Sequence, residues 1–174
     1  MPDPHPLTQH IRDLADHPLP GVVFRDITPL LADGTAFARS IDLLADPFRH
    51  DRIDKVVAVE ARGFVFGAPV ASTLGAGFVP VRKPGKLPAA THRQEYALEY
   101  GTDTLEIHAD ALAAGERIVV VDDVLATGGT AAATAALVER CGATLVGFSF
   151  LIDLTFLPGR EQLAGHRVHS VIEY

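Results

Sequence analysis

An acidic pair followed by a glycine turn carries the clearest chemical signal in this sequence. The stretch VVVDDVLATGGT, residues 119–130, runs from an apolar strand pattern through Asp122 and Asp123 into the turn TGGT and then a helical pattern. Carboxylate oxygens can accept hydrogen bonds from both hydroxyls of a ribose cis-diol. Paired glycines let backbone N–H groups approach a phosphate, and a helix N-terminus adds a favourable dipole. The stretch therefore predicts adjacent ribose and phosphate sites, although TGGT alone fits a capped turn equally well.

A cationic interval interrupts an otherwise acidic chain. The formal net charge is −7, yet no carboxylate lies between Glu60 and Glu95. The cations in this interval are Arg62, Arg82, Lys83, Lys86 and Arg93. Arg62 follows one strand-like run, and the other four follow the next. Grouped cations stabilise a leaving group whose negative charge grows as a bond breaks. Any one of them alone would more often be a solvated surface charge.

Other nucleotide and metal sites are excluded by spacing. The glycines are not followed by the Lys-Ser/Thr pair of a P-loop, and no G-x-G-x-x-G opens a helix after a strand. None of the 8 histidines has H-x-x-x-H or H-E-x-x-H spacing, so we expect no metal held by protein ligands alone. The sequence favours neither an ATPase nor a dehydrogenase.

The composition is that of one globular domain covering residues 1–174, with 48% hydrophobic and 21% charged residues. The acidic balance is opposite to the charge that nucleic-acid binding requires, so we expect no nucleic-acid partner. No apolar run approaches the roughly 20 residues of a membrane span, and the start of the sequence does not resemble a secretory signal. A single cysteine, Cys141, cannot form an internal disulfide. We therefore expect a cytoplasmic protein with no membrane partner.

Helical and strand patterns alternate along the chain. Apolar spacing predicts a helix over residues 8–17, ended by Pro18 and Pro20, and then an ordered loop over residues 21–31. Further helices are predicted around residues 37–48, 64–74 and 130–141, and strands at 55–59, 77–81, 117–121 and 144–152. The alternation predicts an α/β fold with an open, mostly parallel twisted sheet flanked by helices. Ligands of such sheets bind beyond the carboxyl ends of the strands.

Residues 91–108 have a different pattern. Tyr96, Leu98 and Tyr100 occupy alternate positions before a Gly-Thr turn, and Leu105 and Ile107 do so after it. Alternation on both sides of a turn predicts a β-hairpin. We expect this hairpin to be a flap outside the core.

The chain resembles a known enzyme family in five segments. VVVDDVLATGGT resembles the phosphoribosyl pyrophosphate (PRPP) motif of type I phosphoribosyltransferases. The others, GVVFRDITPLL (21–31), EARGF (60–64), VRKPGKLP (81–88) and YALEYG (96–101), resemble the adenine phosphoribosyltransferase family in order and approximate spacing. The resemblance covers nearly the whole chain; Pro84 in the cationic loop departs from it, and residues 91–95 do not map closely.

This resemblance implies a fold and a reaction. The fold is that of type I phosphoribosyltransferases, with a small N-terminal hood in residues 1–34 and a cationic loop and flexible hairpin flap in residues 83–108. The reaction is that of a pentosyltransferase of purine salvage, in which adenine and PRPP give AMP and pyrophosphate. Mg²⁺ would arrive bound to PRPP or pyrophosphate, since it prefers phosphate oxygens and water to a protein cage. The family also implies a homodimer.

The resemblance further implies a role for each matching residue. PRPP would be held at its ribose and 5′-phosphate by Asp122, Asp123, Ala126, Thr127, Gly128, Gly129 and Thr130. Pyrophosphate would be bound by Arg62, Arg82, Lys83 and Lys86, and adenine by Val23, Phe24 and Arg25. Glu99 would be the general acid near purine N7, and Tyr100 would help to close the flap. Without the resemblance, Glu99 would be interpreted as an exposed edge residue and Phe24 as a core aromatic.

Two alternatives remain open from the sequence. One is a phosphoribosyltransferase for another purine, such as hypoxanthine or xanthine. The other is a non-catalytic regulator that binds PRPP as an effector. Retention of Glu99 and the lack of a basic face or an added DNA-binding segment argue against the regulator.

Overall fold

The computed structural model describes residues 5–97 and 101–174. The elements in chain order are β1 (Arg12–Ala15), β2 (Val23–Asp26), α1 (Thr28–Ala32), α2 (Gly34–Ala45), β3 (Lys55–Val59), α3 (Arg62–Leu74), β4 (Gly77–Val81), β5 (Thr91–Ala97), β6 (Thr102–His108), β7 (Arg117–Leu125), α4 (Gly129–Arg140), β8 (Thr144–Asp153), α5 (Gly159–Gln162) and β9 (Val168–Glu173). Short 3-10 turns lie at Pro6–His10 and Asp46–Phe48. The predicted alternation of helices and strands is confirmed.

Five parallel strands form the central sheet in the order β4-β3-β7-β8-β9. The chain moves outward from β3 to β4, then returns to the other side of β3 to build β7, β8 and β9. The direction of winding therefore reverses between β3 and β7. A sheet of this kind opens a crevice beyond the carboxyl ends of the two strands at that point.

Alternate residues of the central strands face two cores. Val57 of β3 and Val120 of β7 pack with α4, whereas Val56 and Val119 pack with α2 and α3. Side chains of a strand point to opposite faces in turn, so strands covered on both sides are apolar throughout. This double burial explains why both strands read as continuous apolar runs in the sequence.

Strand β7 is longer than predicted and is paired unequally on its two sides. Its register with β3 ends at Ala58 opposite Val121, while its register with β8 continues to Leu125 opposite Asp153. The acidic pair therefore lies within a strand and not after its end. The last four residues of β7 are held by β8 alone.

The predicted N-terminal helix over residues 8–17 is wrong. After the 3-10 turn the chain forms β1, which pairs antiparallel with β2 and places Leu14 opposite Phe24. Of the apolar residues whose spacing suggested a helix, Leu7 and Ile11 pack with the core cluster that contains α2, and Leu14 makes a cross-strand contact, which depends on a partner distant in sequence. Residues 21–31, predicted as a loop, contain β2 and most of α1.

The predicted hairpin of residues 91–108 is present, but it does not lie outside the core. Leu105 and Ile107 of β6 are fully buried in the cluster that contains α4 and one face of the sheet. An isolated bridge between Arg82 and Glu106 joins β6 to the end of β4. Alternation along β6 turns one of its faces inward, so the base of the hairpin is a structural part of the domain.

Candidate active site

A cavity of about 390 Å³ lies at the carboxyl ends of β3 and β7, where the winding of the sheet reverses. We call it the β3–β7 cavity. Its lining is Val59, Glu60, Ala61, Arg62, Asp122, Asp123, Val124, Leu125, Ala126, Thr127, Gly128, Thr130, Ala131 and Phe150. Its volume lies within the range of small-molecule sites. The structure thus brings Arg62, both predicted acids and all but one residue of the predicted phosphate loop into one cavity.

The two carboxylates of the acidic pair lie side by side in the lining of this cavity. Asp123 is 5% exposed, and its backbone N–H donates to Oδ1 of Asp122 at 2.9 Å. Oδ2 of Asp123 lies 2.8 Å from Nε of Arg62, but the two atoms are not aligned for a hydrogen bond. No other described residue donates to this oxygen. An ionised carboxylate only accepts hydrogen bonds, so two adjacent carboxylates that line a cavity suit a ligand that brings hydroxyl groups.

The carboxyl of Asp122 is electrostatically strained in this position. Burial raises its pKa well above the ordinary value, and the neighbouring charge of Asp123 raises the pKa further, with Arg62 opposing the shift. Gly63 is what allows Asp122 to lie there, because a Cβ at residue 63 would be 2.7 Å from Oδ1 of Asp122. The sequence analysis missed Gly63, although its place beside Arg62 in EARGF is a possible signal.

The phosphate loop joins β7 to α4 with its backbone donors available. Gly128 has φ of +87°, and no side chain among the described residues caps α4. The first N–H groups of an uncapped helix point along its axis and suit an anion. Gly129 lies beside the hairpin rather than in the cavity lining, since a Cβ there would be 3.3 Å from the Tyr96 ring and from the Ala97 oxygen.

Glu60 organises two of the predicted pyrophosphate cations. Nε of Arg82 lies 2.6 Å from one carboxylate oxygen of Glu60, and Nζ of Lys86 lies 2.8 Å from the other. Burial would raise the pKa of Glu60, but the hydrogen bonds from Lys86 and Arg82 more than offset it and lower the pKa. Arg82 and Lys86 do not line the β3–β7 cavity themselves. They are held by Glu60, which does line it and which the sequence analysis did not select.

Of the four predicted pyrophosphate residues only Arg62 lines the cavity, and Lys83 differs from Arg82 and Lys86 in pairing with the hairpin instead of with Glu60. Its Nζ pairs with Asp103 and lies 3.2 Å from the hydroxyl of Tyr96, both on the hairpin. Burial would lower the pKa of Lys83, but these hydrogen bonds outweigh it and raise the pKa. In this structure Lys83 joins the cationic loop to the hairpin.

The predicted adenine segment lies in β2, beside the cavity. The Phe24 ring centre is 5.6 Å from the Arg62 guanidinium carbon and 5.2 Å from the His17 ring. Phe24 is partly exposed, so it is not the core aromatic that it would be without the resemblance. The guanidinium of Arg25 pairs with Asp13 and lies 3.9 Å from the Tyr174 ring centre, and Val23 is exposed. Of these residues, Phe24 makes the contact with the cavity, through Arg62.

Glu99 and Tyr100 lie outside the described residues, so their predicted roles are not addressed by the geometry. Within residues 5–97 and 101–174, no group of three or more His, Cys, Asp or Glu side chains could hold a metal ion. No helix in the same part of the chain is long and apolar enough to cross a membrane.

Comparison with known proteins identifies the family. Residues 28–159 match the phosphoribosyl transferase domain family. An adenine phosphoribosyltransferase from Acaryochloris marina is 59% identical over 164 residues, which cover 94% of this chain and 96% of that protein. The chain belongs to the adenine phosphoribosyltransferase family. It transfers the phosphoribosyl group of PRPP to adenine in purine salvage, so neither alternative left open by the sequence holds.

Solved structures of adenine phosphoribosyltransferases have the same fold. The structure from Thermoanaerobacter pseudethanolicus superposes with a TM-score of 0.94 at 54% identity, covering 97% of this chain and 98% of that one. The Saccharomyces cerevisiae structure, complexed with an imino-altritol bisphosphate and adenine, has a TM-score of 0.90 at 39% identity, covering 95% and 96%. The predicted type I phosphoribosyltransferase fold is therefore confirmed.

Proposed function

We propose that the β3–β7 cavity holds PRPP during this reaction. Asp122 and Asp123 accept hydrogen bonds from the ribose hydroxyls, and residues Ala126, Thr127, Gly128, Gly129 and Thr130 bind the 5′-phosphate. The observation that carries the proposal is that the two adjacent carboxylates and the uncapped start of α4 line the same cavity. A sugar phosphate supplies hydroxyl groups to the carboxylates and an anion to the start of the helix.

Pyrophosphate is the leaving group, and cations next to the cavity receive it. The C1′–O bond breaks with its electron pair moving onto pyrophosphate, so negative charge grows there in the transition state. Arg62 lines the cavity, and Arg82 and Lys86 turn from Glu60 towards the departing anion. Lys83 acts from the hairpin side, in exchange for its contact with Asp103. Cations that meet charge as it develops lower the barrier more than they strengthen substrate binding.

Adenine binds on the β2 side of the cavity. Backbone groups of Val23 and Arg25 read the base edge, while the Phe24 ring, next to Arg62, covers its face. N9 of adenine forms the new bond to C1′ as the bond to pyrophosphate breaks, and Glu99 exchanges a proton with N7 of the base. Closure by the segment that contains Tyr100 excludes water from the reacting carbon.

Mg²⁺ fits this arrangement as a partner of PRPP. The described residues offer two adjacent carboxylates and no group of three ligands, which suits an ion held mainly by phosphate oxygens and water. When bound, Mg²⁺ supplies charge neutralisation on the phosphates. The role of Asp122 and Asp123 is to hold the ribose that the ion accompanies.

The assignment extends to the setting of the enzyme. Residues 1–174 form one catalytic domain, in which residues 1–34 contribute the adenine hood and residues 83–108 the cationic loop and flap. The enzyme works as a cytoplasmic homodimer without a nucleic-acid or membrane partner.

The test of the site uses a matched pair of carboxylate variants. Asp123→Asn removes the buried acceptor charge, and Asp42→Asn changes an exposed carboxylate that pairs with Arg49 on the surface. Pyrophosphate release is measured with PRPP and Mg²⁺ against adenine, hypoxanthine, guanine, xanthine and no base. We expect release with adenine alone, and a loss of about 100-fold or more in kcat/KM for PRPP in Asp123→Asn only. Equal kcat/KM values in the two variants would remove the acidic pair from the site.

A further inference from the structure

The turn that begins α5 lies directly against the phosphate loop. A Cβ on Gly128 would be 2.7 Å from the Gly159 oxygen and 2.8 Å from Cβ of Gln162. A Cβ on Gly159 would in turn overlap the carbonyl oxygen of Ala126. The two glycines therefore meet backbone to backbone. In a close-packed contact of this kind, displacement of one segment displaces the other.

Arg160 ties this turn to the ends of two strands. Its Nε donates to Oδ2 of Asp153 at 2.5 Å, and its Nη2 donates to Oγ of Ser170 at 2.6 Å and to Oε1 of Glu173 at 2.7 Å. Asp153 ends β8 and is 1% exposed, while the other two residues belong to β9. The planar guanidinium can hold all three acceptors at once, which neither lysine nor glutamine can do.

We propose that Arg160 is a positioning residue for the phosphate loop. By fixing residues 158–162 on β8 and β9, it holds Gly159 against residues 126–128 and so sets where the N–H groups of the loop lie. Two glycines at the centre of this loop have no side chains to fix them, so the loop geometry depends on what packs behind it. The inference rests on the proposed assignment of residues 126–130 to the 5′-phosphate of PRPP.

The first experiment compares Arg160→Gln with Arg167→Gln. Arg167 pairs with Asp51 at 2.6 Å and precedes β9, at the other end of the strand, so it controls for loss of an arginine ion pair. We expect Arg160→Gln to raise KM for PRPP about tenfold while kcat and KM for adenine stay within about twofold. Arg167→Gln is expected to leave all three constants unchanged.

A second variant separates positioning from folding. Arg160→Gln leaves the carboxylate of Asp153 buried without its partner, which lowers Tm. The double variant Asp153→Asn/Arg160→Gln removes that charge, so Tm recovers, while KM for PRPP stays raised because nothing spans the two strands. If KM for PRPP remains at the wild-type value in Arg160→Gln, or returns to it in the double variant, the inference is overturned.

A loop variant distinguishes failure of the inference from failure of the site assignment. Thr127 lines the β3–β7 cavity, and Thr127→Ala removes a proposed phosphate donor. If Thr127→Ala raises KM for PRPP and Arg160→Gln does not, only the role of Arg160 fails. If Thr127→Ala leaves KM for PRPP unchanged, the loop assignment fails and the inference fails with it.

Discussion

Arg62 stands between Asp123 and Phe24, with its Nε 2.8 Å from the carboxylate and its guanidinium carbon 5.6 Å from the ring centre. One side chain at the start of α3 thus touches the residues that we assign to ribose and to adenine. The guanidinium carries its charge next to an acid and lies within cation–π distance of an aromatic ring. Arg62 is therefore placed to couple the two halves of the site.

This coupling predicts different results for two substitutions of Arg62. Arg62→Gln removes the charge, and Arg62→Lys keeps the charge but not the planar fork. We expect both variants to lose about tenfold or more in kcat/KM for PRPP, and lysine to recover only part of what glutamine loses. Steady-state kinetics with both substrates varied measures this. Full activity in Arg62→Lys would show that only the charge matters.

The absence of a side chain at Gly63 is predicted to be important for activity but not for folding. An added Cβ would be 2.7 Å from Oδ1 of Asp122, so Gly63→Ala displaces that carboxylate. We expect kcat/KM for PRPP to fall about tenfold or more, with far-UV circular dichroism unchanged. Gly34→Ala is the control, since a Cβ there meets nothing within 4 Å. Similar kinetics in the two variants would contradict the proposed place of Asp122.

The raised pKa of Asp122 predicts a trade between stability and activity. A carboxyl whose pKa is higher in the folded than in the unfolded chain stabilises the fold at low pH, and that contribution is lost as pH rises from 3.8 through the raised value. Asp122→Asn escapes this loss. We therefore expect the ligand-free variant to have a higher Tm than wild type at pH 7, a difference that shrinks towards pH 4, together with greatly reduced activity. A lower Tm at pH 7 would contradict the strain that we assign to the acidic pair.

The buried face of the hairpin predicts a stability cost that a peripheral flap would not show. Leu105 is fully buried against the core that contains α4. Leu105→Ala should lower the free energy of unfolding by about 2 to 5 kcal/mol. Urea unfolding of Leu105→Ala and of Thr102→Ala, an exposed residue on the same strand, provides the comparison. A hairpin outside the core would give the same midpoint for both.

The parts of the fold that could be predicted from the sequence are those in which neighbouring residues decide the structure. The apolar runs that became β3 and β4 were placed at their observed bounds, because strands buried on both faces carry their signal locally. The acidic pair and the glycine turn are also contiguous in sequence, so the prediction made from them is likewise local. The helix predicted over residues 8–17 was wrong because Leu14 pairs with Phe24 of another strand, and local spacing contains no information on that contact.

The candidate site also combines features that are local in sequence with contacts between distant residues. The phosphate loop is continuous in sequence, but the contacts that shape it are not: Glu60 holds Arg82 and Lys86, and Gly159 lies behind Gly128. Single sequences do not reveal such pairs, since each residue alone resembles an ordinary surface acid or a turn glycine. Lys83 is local to the predicted cationic loop in sequence, but its side chain pairs with Asp103 of the hairpin.

The unequal pairing of β7 has a consequence for recognition. Its register with β8 runs on to Leu125, but β3 stops accompanying it at Val121, and residues 122–125 line the cavity that we assign to PRPP. Their main-chain groups on that side have no partner in β3, so they can contribute to binding whatever side chains the strand carries. Part of the binding surface is therefore encoded by where a neighbouring strand ends. A substitution at Val124 changes a side chain in the lining of this cavity but leaves those main-chain groups in place.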